Sequence, residues 1–223
     1  MKESTGRARG PTAGRVLLVA SINVVAVATV ALLVEAARRA GVGFTTFTDD
    51  RSSGETRWFA GLLSDVGVGL WFVSAVGAAI AALVHRDDAR PFVFFGAMAA
   101  ASTWLAFDDL LLLHEDVLPR RLGVAESSSL AAYLVVVVLL VVVCFDVVRR
   151  HDPWILGLAG ALLVGSLTAT RIGIGPFATS SAEAASKFIG IVNWTTFFAF
   201  AAVCRRCSVR ESVGVGRRQI EEG

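Results

Sequence analysis

The sequence has few charged residues for its length. Asp, Glu, Lys and Arg make up 18% of its 223 residues, whereas soluble domains average about 25%. Hydrophobic residues make up 55%, and the mean hydropathy is +0.65. This balance excludes an ordinary soluble enzyme. Apolar runs of roughly 20 residues, the length that crosses a bilayer, recur between short charged gaps, so the sequence predicts a polytopic membrane protein.

Cysteine and net charge are also low. The three cysteines, Cys144, Cys204 and Cys207, include no second pair for a zinc site and are read as free thiols. The formal net charge is only +2, and the basic residues stand in small groups at the ends of apolar runs. Because no basic stripe is present, nucleic acid is excluded as a partner. The expected partners are the lipid bilayer and a small-molecule or lipid substrate.

Six apolar segments are long enough to span a membrane. Backbone groups in lipid must bond within their own segment, and no segment alternates polar and apolar residues as a barrel strand does, so each predicts a helix. The fold class is therefore all-α, with one bundle of six transmembrane helices in residues 15–206. The polar tails 1–14 and 207–223 are predicted to be disordered and cytoplasmic. The spans are 15–35, 58–84, 91–113, 130–148, 154–170 and 182–203.

Prolines mark several of the predicted boundaries. Pro91 and Pro153 each fit the first position of a helix, the latter behind Asp152 as N-cap. The third span is unusual because its helical character can continue to Leu118, just ahead of Pro119. The resulting helix would have about 28 residues and a length of ~42 Å.

The distribution of Lys and Arg predicts the orientation of the chain. With the N-terminus inside, 13 basic residues lie beside the spans on the inside and 7 on the outside. The sequence therefore predicts a multi-pass protein of the cell membrane with both termini in the cytoplasm.

Three ionisable residues on three spans share one depth on the predicted outer side. Asp65 lies seven residues below the start of its span, Lys187 seven below Ser180, and Asp108 seven below Glu115, or ~10 Å in each case. A lone charge inside the bilayer costs about 2.5–3.5 kcal/mol, so such groups are normally paired, turned inward or hydrated. We therefore expect Asp65, Asp108 and Lys187 to converge in one outward-opening pocket.

Lys187 and Asp65 are the clearest of these intramembrane charges. Lys187 is one of only two lysines in a chain with 19 arginines, which favours a position that needs a compact ammonium group. Asp65 lies between Gly61 and Gly69, and such a face of small residues lets another helix approach closely. The two charges predict either an acid–base pair within a site or an ion pair that only fixes two helices.

The stretch DDLLLLHED, residues 108–116, has the highest density of carboxylates. If the helix continues through it, its four acidic side chains share a face about 120° wide, where a bound cation or a basic helix would relieve their repulsion. Asp108, Asp109 and Glu115 are therefore candidate ligands of a divalent cation, Mg²⁺ or Zn²⁺. His114 points about 120° away from Asp108. It is either a catalytic residue that meets a neighbouring helix or a histidine at the membrane surface.

Three classes of function remain open. In the first, an outward-facing site performs metal-assisted chemistry or binds an anionic substrate, with Lys187, Asp65 and His114 as its acting groups. In the second, the protein is a proton- or cation-coupled transporter or channel that uses Asp65, Asp108 and Lys187. In the third, it is a structural helper whose charges only hold the helices together.

The polar residues of the inner half favour the one-sided site. A conduction path needs polar lining on both sides of its site, whereas Asn23, Ser74 and Asn193 are the scattered polar groups there. No proline interrupts a predicted span, although broken helices are typical of secondary transporters.

Overall fold

The computed structural model describes residues 12–47, 61–113, 117–123, 125–172 and 180–203. All regular secondary structure in these ranges is helical, which confirms the all-α fold class. The predicted tail 207–223 and most of the tail 1–14 lie outside the described residues. The elements are α1 (Ala13–Ala40), a 3₁₀ turn (Phe44–Phe47), α2 (Leu62–Val84), α3 (Ala89–Leu111), α4 (Leu118–Leu122), α5 (Glu126–Val143), α6 (Phe145–Val148), α7 (Pro153–Ile172) and α8 (Ser180–Val203).

Four helices of the described chain are long and apolar enough to cross a membrane. They are α1, α2, α3 and the segment Ala182–Val203 of α8. Two shorter apolar stretches, Ser127–Val143 and Pro153–Thr168, correspond to the fourth and fifth predicted spans. The fourth span, expected to be continuous over 130–148, is divided by a turn at Cys144 into α5 and the four-residue α6. The chain thus has the apolar helices of a membrane protein.

The long helix α8 occupies the centre of the bundle. It packs against α1, α2 and α7, while α3 packs against α2 and α5. Since lipid is as apolar as these side chains, close packing and interhelical hydrogen bonds must hold the helices together. The larger buried cluster is rich in aromatic residues, among them Trp71, Phe94, Phe95, Trp194, Phe197 and Phe198.

Two glycines let the neighbouring helices α2 and α7 pack closely against α8. A Cβ atom on Gly77 of α2 would lie 3.3 Å from the backbone of Phe198. A Cβ atom on Gly190 of α8 would lie 2.9 Å from the side chain of Leu163 in α7. The absence of a side chain at these two positions therefore sets the spacing of α2 and α7 from α8.

The bundle has two ends that differ in chemistry. At the Asp109 end, α1 and α3 finish and α2 and α8 begin; there Phe47, Leu63 and Phe188 share a second buried cluster. At the Arg15 end, α1 begins and α8 finishes, and Arg15 forms an ion pair with Asp152, which immediately precedes α7.

The predicted 28-residue third helix is wrong. Helix α3 has 23 residues and ends at Leu111, because Leu112 adopts the left-handed conformation with φ 52°. The N–H of Val117 then bonds to the carbonyl of Leu112 at 3.3 Å. Pro119 lies in the first turn of α4, where its missing N–H costs no helical bond. Leucine is a good helix former, so the sequence pattern carried no sign of this break.

The start of α2 also differs from the prediction. Gly61 has φ 71° and is the N-cap, so α2 begins at Leu62 rather than at Trp58. Asp65 therefore lies in the first turn, about 5 Å from the start of the helix instead of ~10 Å. Residues 48–60, which include Trp58, lie outside the described part of the chain.

The proline signals were accurate to within two residues. Helix α7 begins at Pro153, as predicted. Helix α3 begins at Ala89, two residues before Pro91, because the Asp88 carboxylate accepts a hydrogen bond from the N–H of Arg90 at 3.3 Å and caps the helix.

Candidate functional site

Asp109, near the end of α3, joins three helices through its carboxylate. Its Oδ1 accepts a hydrogen bond from Nζ of Lys187 in α8, and its Oδ2 accepts one from Nε1 of Trp71 in α2, both at 3.0 Å. Trp71 is only 3% exposed. The side chains of Asp109 and Lys187 are 17% and 40% exposed. The ion pair is therefore partly open rather than sealed in the core.

Helical periodicity explains why these side chains meet. Ser102 and Asp109 are seven residues apart on α3, and Lys187 and Trp194 are seven apart on α8, so each pair shares a face about 10 Å long. Nε1 of Trp194 donates to Oγ of Ser102 at 3.1 Å. Trp71 contacts Trp194 edge to face, with ring centroids 5.8 Å apart. These side-chain contacts therefore connect α3 with α2, α2 with α8, and α8 with α3.

Asp108 is bound on a different side of α3. It is 1% exposed, and its Oδ1 accepts a hydrogen bond from the Tyr133 hydroxyl of α5 at 3.2 Å. Tyr133 also contacts the half-exposed ring of Trp104 edge to face, at 6.3 Å. The two consecutive carboxylates of α3 therefore bind different helices.

Asp65 lies away from the core of the bundle. It is exposed in the first turn of α2. The α2 residue that binds Asp109 is Trp71, which lies six residues, or about 9 Å, further along the helix. The expected helix approach at Gly69 is not found among the described residues, because none has an atom within 4 Å of the place where a Cβ of Gly69 would lie. A contact between Asp65 and Lys187 stays a prediction.

The cation site predicted at Asp108, Asp109 and Glu115 includes one residue outside the described part of the chain. Glu115 and His114 lie outside the described residues. Within the described ranges, no three His, Cys, Asp or Glu side chains are grouped so that they could hold a metal ion. A cation shared by Asp108 and Asp109 would compete with Tyr133 and Lys187 for their oxygens, so Mg²⁺ or Zn²⁺ stays a prediction.

Two interhelical polar pairs lie deeper in the bundle. Asn23 of α1 and Asn193 of α8 donate to each other's amide oxygens, at 3.0 and 2.8 Å. The hydroxyls of Ser74 in α2 and Thr195 in α8 lie 2.8 Å apart. These asparagines and Ser74 look scattered in the sequence, because a linear sequence does not reveal which polar residues face each other.

A layer of phenylalanines separates the polar pairs from the Arg15 end. Each of the four rings is at most 1% exposed, and neighbouring rings lie 5.1 to 6.4 Å apart. Among the described residues, this apolar layer separates the Asp109 site from the polar groups of the opposite end. The four residues are Phe94, Phe95, Phe197 and Phe198.

Two histidines lie beyond this layer, in the turns at the Arg15 end. His85 stacks on Phe95 with a centroid distance of 5.8 Å, and its ring lies 5.5 Å from that of His151. Nδ1 of His151 lies 3.0 Å from the carbonyl oxygen of Val147. Burial lowers the pKa of both imidazoles, although the nearby Asp88 carboxylate partly opposes this at His85. The two imidazole rings therefore pack against each other and against Phe95.

Comparison with known proteins identifies a family. The chain belongs to the family described as "Domain of unknown function (DUF8692)", which matches residues 16–201. The match extends from the first turn of α1 almost to the end of α8, so it includes the whole bundle and the Asp109 site. No curated protein and no solved structure matches the chain.

Proposed function

We propose that this member of the DUF8692 family is an integral membrane protein that binds the anionic group of a lipid-like or small-molecule substrate at the Asp109–Lys187 pair. Lys187 is the anion-binding group, and Asp109 holds the ammonium in place. The observation that carries the proposal is the 40% exposure of the Lys187 side chain within an apolar helix. A charge exposed at that depth is costly in hydrocarbon, so access of a polar headgroup or water is favoured.

The proposal includes a six-span topology with both termini in the cytoplasm and the Asp109 end outside. Helices α5 and α7 have 18 and 20 residues, or about 27 and 30 Å, close to the ~30 Å of a hydrocarbon core. The excess of basic residues at the Arg15 end and in the tails supports the orientation. Lys187 would then face the outer leaflet.

The phenylalanine layer supports a one-sided site over a conduction path. Among the described residues, the four buried rings of α3 and α8 lie between Lys187 and the Arg15 end. A path for a proton or cation along α3 and α8 therefore requires a rearrangement of these rings, whereas binding from one side does not.

Metal-assisted chemistry at this site is an alternative to binding without a metal. It would place a divalent cation on Asp108, Asp109 and Glu115, with Asp65 or His114 as a proton-transferring group. This chemistry requires Asp109 to exchange its bond with Lys187 for a metal bond, so binding without a metal is the simpler assignment.

A structural helper is the second candidate, and the partners of Asp109 favour it. Both oxygens of this carboxylate are engaged, by Lys187 and by Trp71. Such a satisfied pair can fix three helices without binding any ligand.

The test compares the protein in nanodiscs of phosphatidylcholine alone with nanodiscs that also contain phosphatidylglycerol. We expect the anionic lipid to raise the Tm of the wild type by several degrees, because a ligand that binds the native state stabilises it. The change K187M should abolish this rise. The control K2M removes the other lysine of the chain, which lies in the N-terminal segment, and should retain it.

The other outcomes distinguish the alternatives. A rise that persists in K187M would overturn the proposed role of Lys187. A rise produced equally by soluble glycerol phosphate would show that the ligand is a water-soluble anion rather than a lipid. No rise in the wild type, together with a D109L/K187M variant as stable as the wild type, would establish the helper. Proton flux across reconstituted vesicles that depends on Lys187 would establish transport.

A further inference from the structure

We infer that Trp71 is the positioning residue of this site: its indole N–H fixes one oxygen of Asp109, so that the carboxylate offers the other oxygen to Lys187. The consequence for anion binding rests on the proposed function, whereas the positioning itself rests on geometry. The two hydrogen bonds have equal lengths of 3.0 Å and use different oxygens of one carboxylate.

The indole of Trp71 is held more firmly than the carboxylate it binds. Trp71 is 3% exposed and lies edge to face with Trp194, which is also 3% exposed. Trp194 is in turn anchored by its hydrogen bond to Ser102, which is fully buried. Asp109 and Lys187, by contrast, are partly exposed. The carboxylate therefore takes its orientation from the indole rather than the reverse.

This orientation affects how strongly Asp109 competes with an incoming anion for Lys187. A carboxylate that is free to turn can present both oxygens to an ammonium, and charge-assisted contacts of that kind are strong. With Oδ2 held by Trp71, Asp109 gives Lys187 one oxygen. The indole N–H also remains as a donor to Asp109 when Lys187 turns towards a ligand, so the carboxylate is not left without a partner.

Two matched variants test this role in the full-length protein in nanodiscs. The change W71F keeps an aromatic ring against Trp194 but removes the N–H that binds Asp109. The control W154F makes the same replacement in the first turn of α7, at the Arg15 end, where the indole N–H is buried and has no hydrogen-bond partner among the described residues. We expect the affinity for phosphatidylglycerol to fall about tenfold in W71F, the effect of losing one hydrogen bond to a charged group. In W154F the affinity should change less than about twofold. Equal losses in the two variants would overturn the inference.

A spectroscopic measurement tests the positioning without a ligand. The indole N–H vibration in ultraviolet resonance Raman spectra reports hydrogen bonding, and subtracting the W71F spectrum from that of the wild type isolates Trp71. We expect the hydrogen-bonded band to persist in K187M and to disappear in D109A, with a smaller shift in D109N should D109A fail to fold. Disappearance in K187M would show that Trp71 merely follows the ion pair, and it would overturn the inference. Failure of the wild type to bind phosphatidylglycerol would instead overturn the anion site and leave this spectroscopic result to decide the role of Trp71.

Discussion

Asp108 and Asp109 are consecutive in α3, yet their carboxylates bind side chains on different helices. Asp108 accepts a hydrogen bond from Tyr133 of α5, and Asp109 accepts hydrogen bonds from Trp71 of α2 and Lys187 of α8. Neighbours on a helix point about 100° apart, which places the two acids on different sides of α3. Each carboxylate thereby ties α3 to a different part of the bundle.

This divergence leads to a prediction about divalent cations. We expect Mg²⁺ or Zn²⁺ to change the Tm of the wild type and of D108N/D109N equally, because the two carboxylates point about 100° apart and already accept hydrogen bonds from other helices. Thermal unfolding with and without each metal measures this. The control D87N/D88N alters another pair of consecutive aspartates, in the turn before α3. A metal-dependent rise in the wild type and in the control, but not in D108N/D109N, would establish the cation site.

The amide pair between Asn23 and Asn193 predicts how α1 is held. Only 17% of the apolar window of α1 is buried, so few packing contacts fix its register on α8. We expect N23L to lower the free energy of unfolding by about 0.6 to 1.7 kcal/mol, the range of interhelical hydrogen bonds in membranes. Unfolding in detergent measures this loss.

A second polar residue of α1 provides the control for N23L. The hydroxyl of Thr29 is exposed and donates to the carbonyl oxygen of Val25 in its own helix, so T29A should change stability little. The double change N23L/N193L should cost less than the sum of the single changes, because each single change leaves one amide without its partner. Additive losses would show that the two asparagines are not coupled.

The proposed orientation predicts which turns can be labelled from outside the cell. In a variant without Cys144, Cys204 and Cys207, a cysteine at position 53 should react with a membrane-impermeant maleimide on intact cells. A cysteine at position 88, in the turn before α3, should react only after permeabilisation. The reverse pattern would place the Asp109 end in the cytoplasm and would contradict access of Lys187 from the outer leaflet.

The sequence was sufficient to predict the helical fold and most of its boundaries. In lipid, a long apolar run without barrel-like alternation can satisfy its backbone hydrogen bonds only as a helix, so the sequence predicts the all-α class directly. The end of α3 and the start of α2 could not be predicted in the same way. Both depend on one residue in a left-handed conformation, Leu112 and Gly61, and leucine gives no local indication of it.

The candidate site was predicted in part. Lys187 was identified as a paired intramembrane charge because a lone ammonium in hydrocarbon is costly. Its partner Asp109 was predicted to bind a metal instead. Asp108 and Asp109 lie at nearly the same depth in the helix, so depth alone does not indicate which of them meets Lys187. Trp71 was missed altogether, since a tryptophan in an apolar span most often serves packing. Only the three-dimensional contact with Asp109 reveals its N–H as part of the site.

The histidines at the Arg15 end predict a pH dependence of stability. Burial lowers the pKa of His85 and His151 in the folded protein below the ordinary value of 6.5. As the pH falls through that value, the unfolded chain therefore binds more protons than the folded one, and stability is lost. We expect the Tm to be nearly constant well above pH 6.5 and to fall as the pH drops below that value.

Substitution of the two histidines checks the origin of this loss. In H85Q/H151Q the Tm should depend less steeply on pH, because glutamine does not titrate. This expectation holds whatever the change does to the Tm at neutral pH. Each histidine can contribute up to about 1.4 kcal/mol per pH unit, so the difference in slope is measurable by thermal unfolding. The variant H114Q removes the remaining histidine of the chain and should keep the wild-type slope. A slope that survives in H85Q/H151Q and disappears in H114Q would place the pH-sensitive group in the acidic stretch after α3, and would contradict the assignment to His85 and His151.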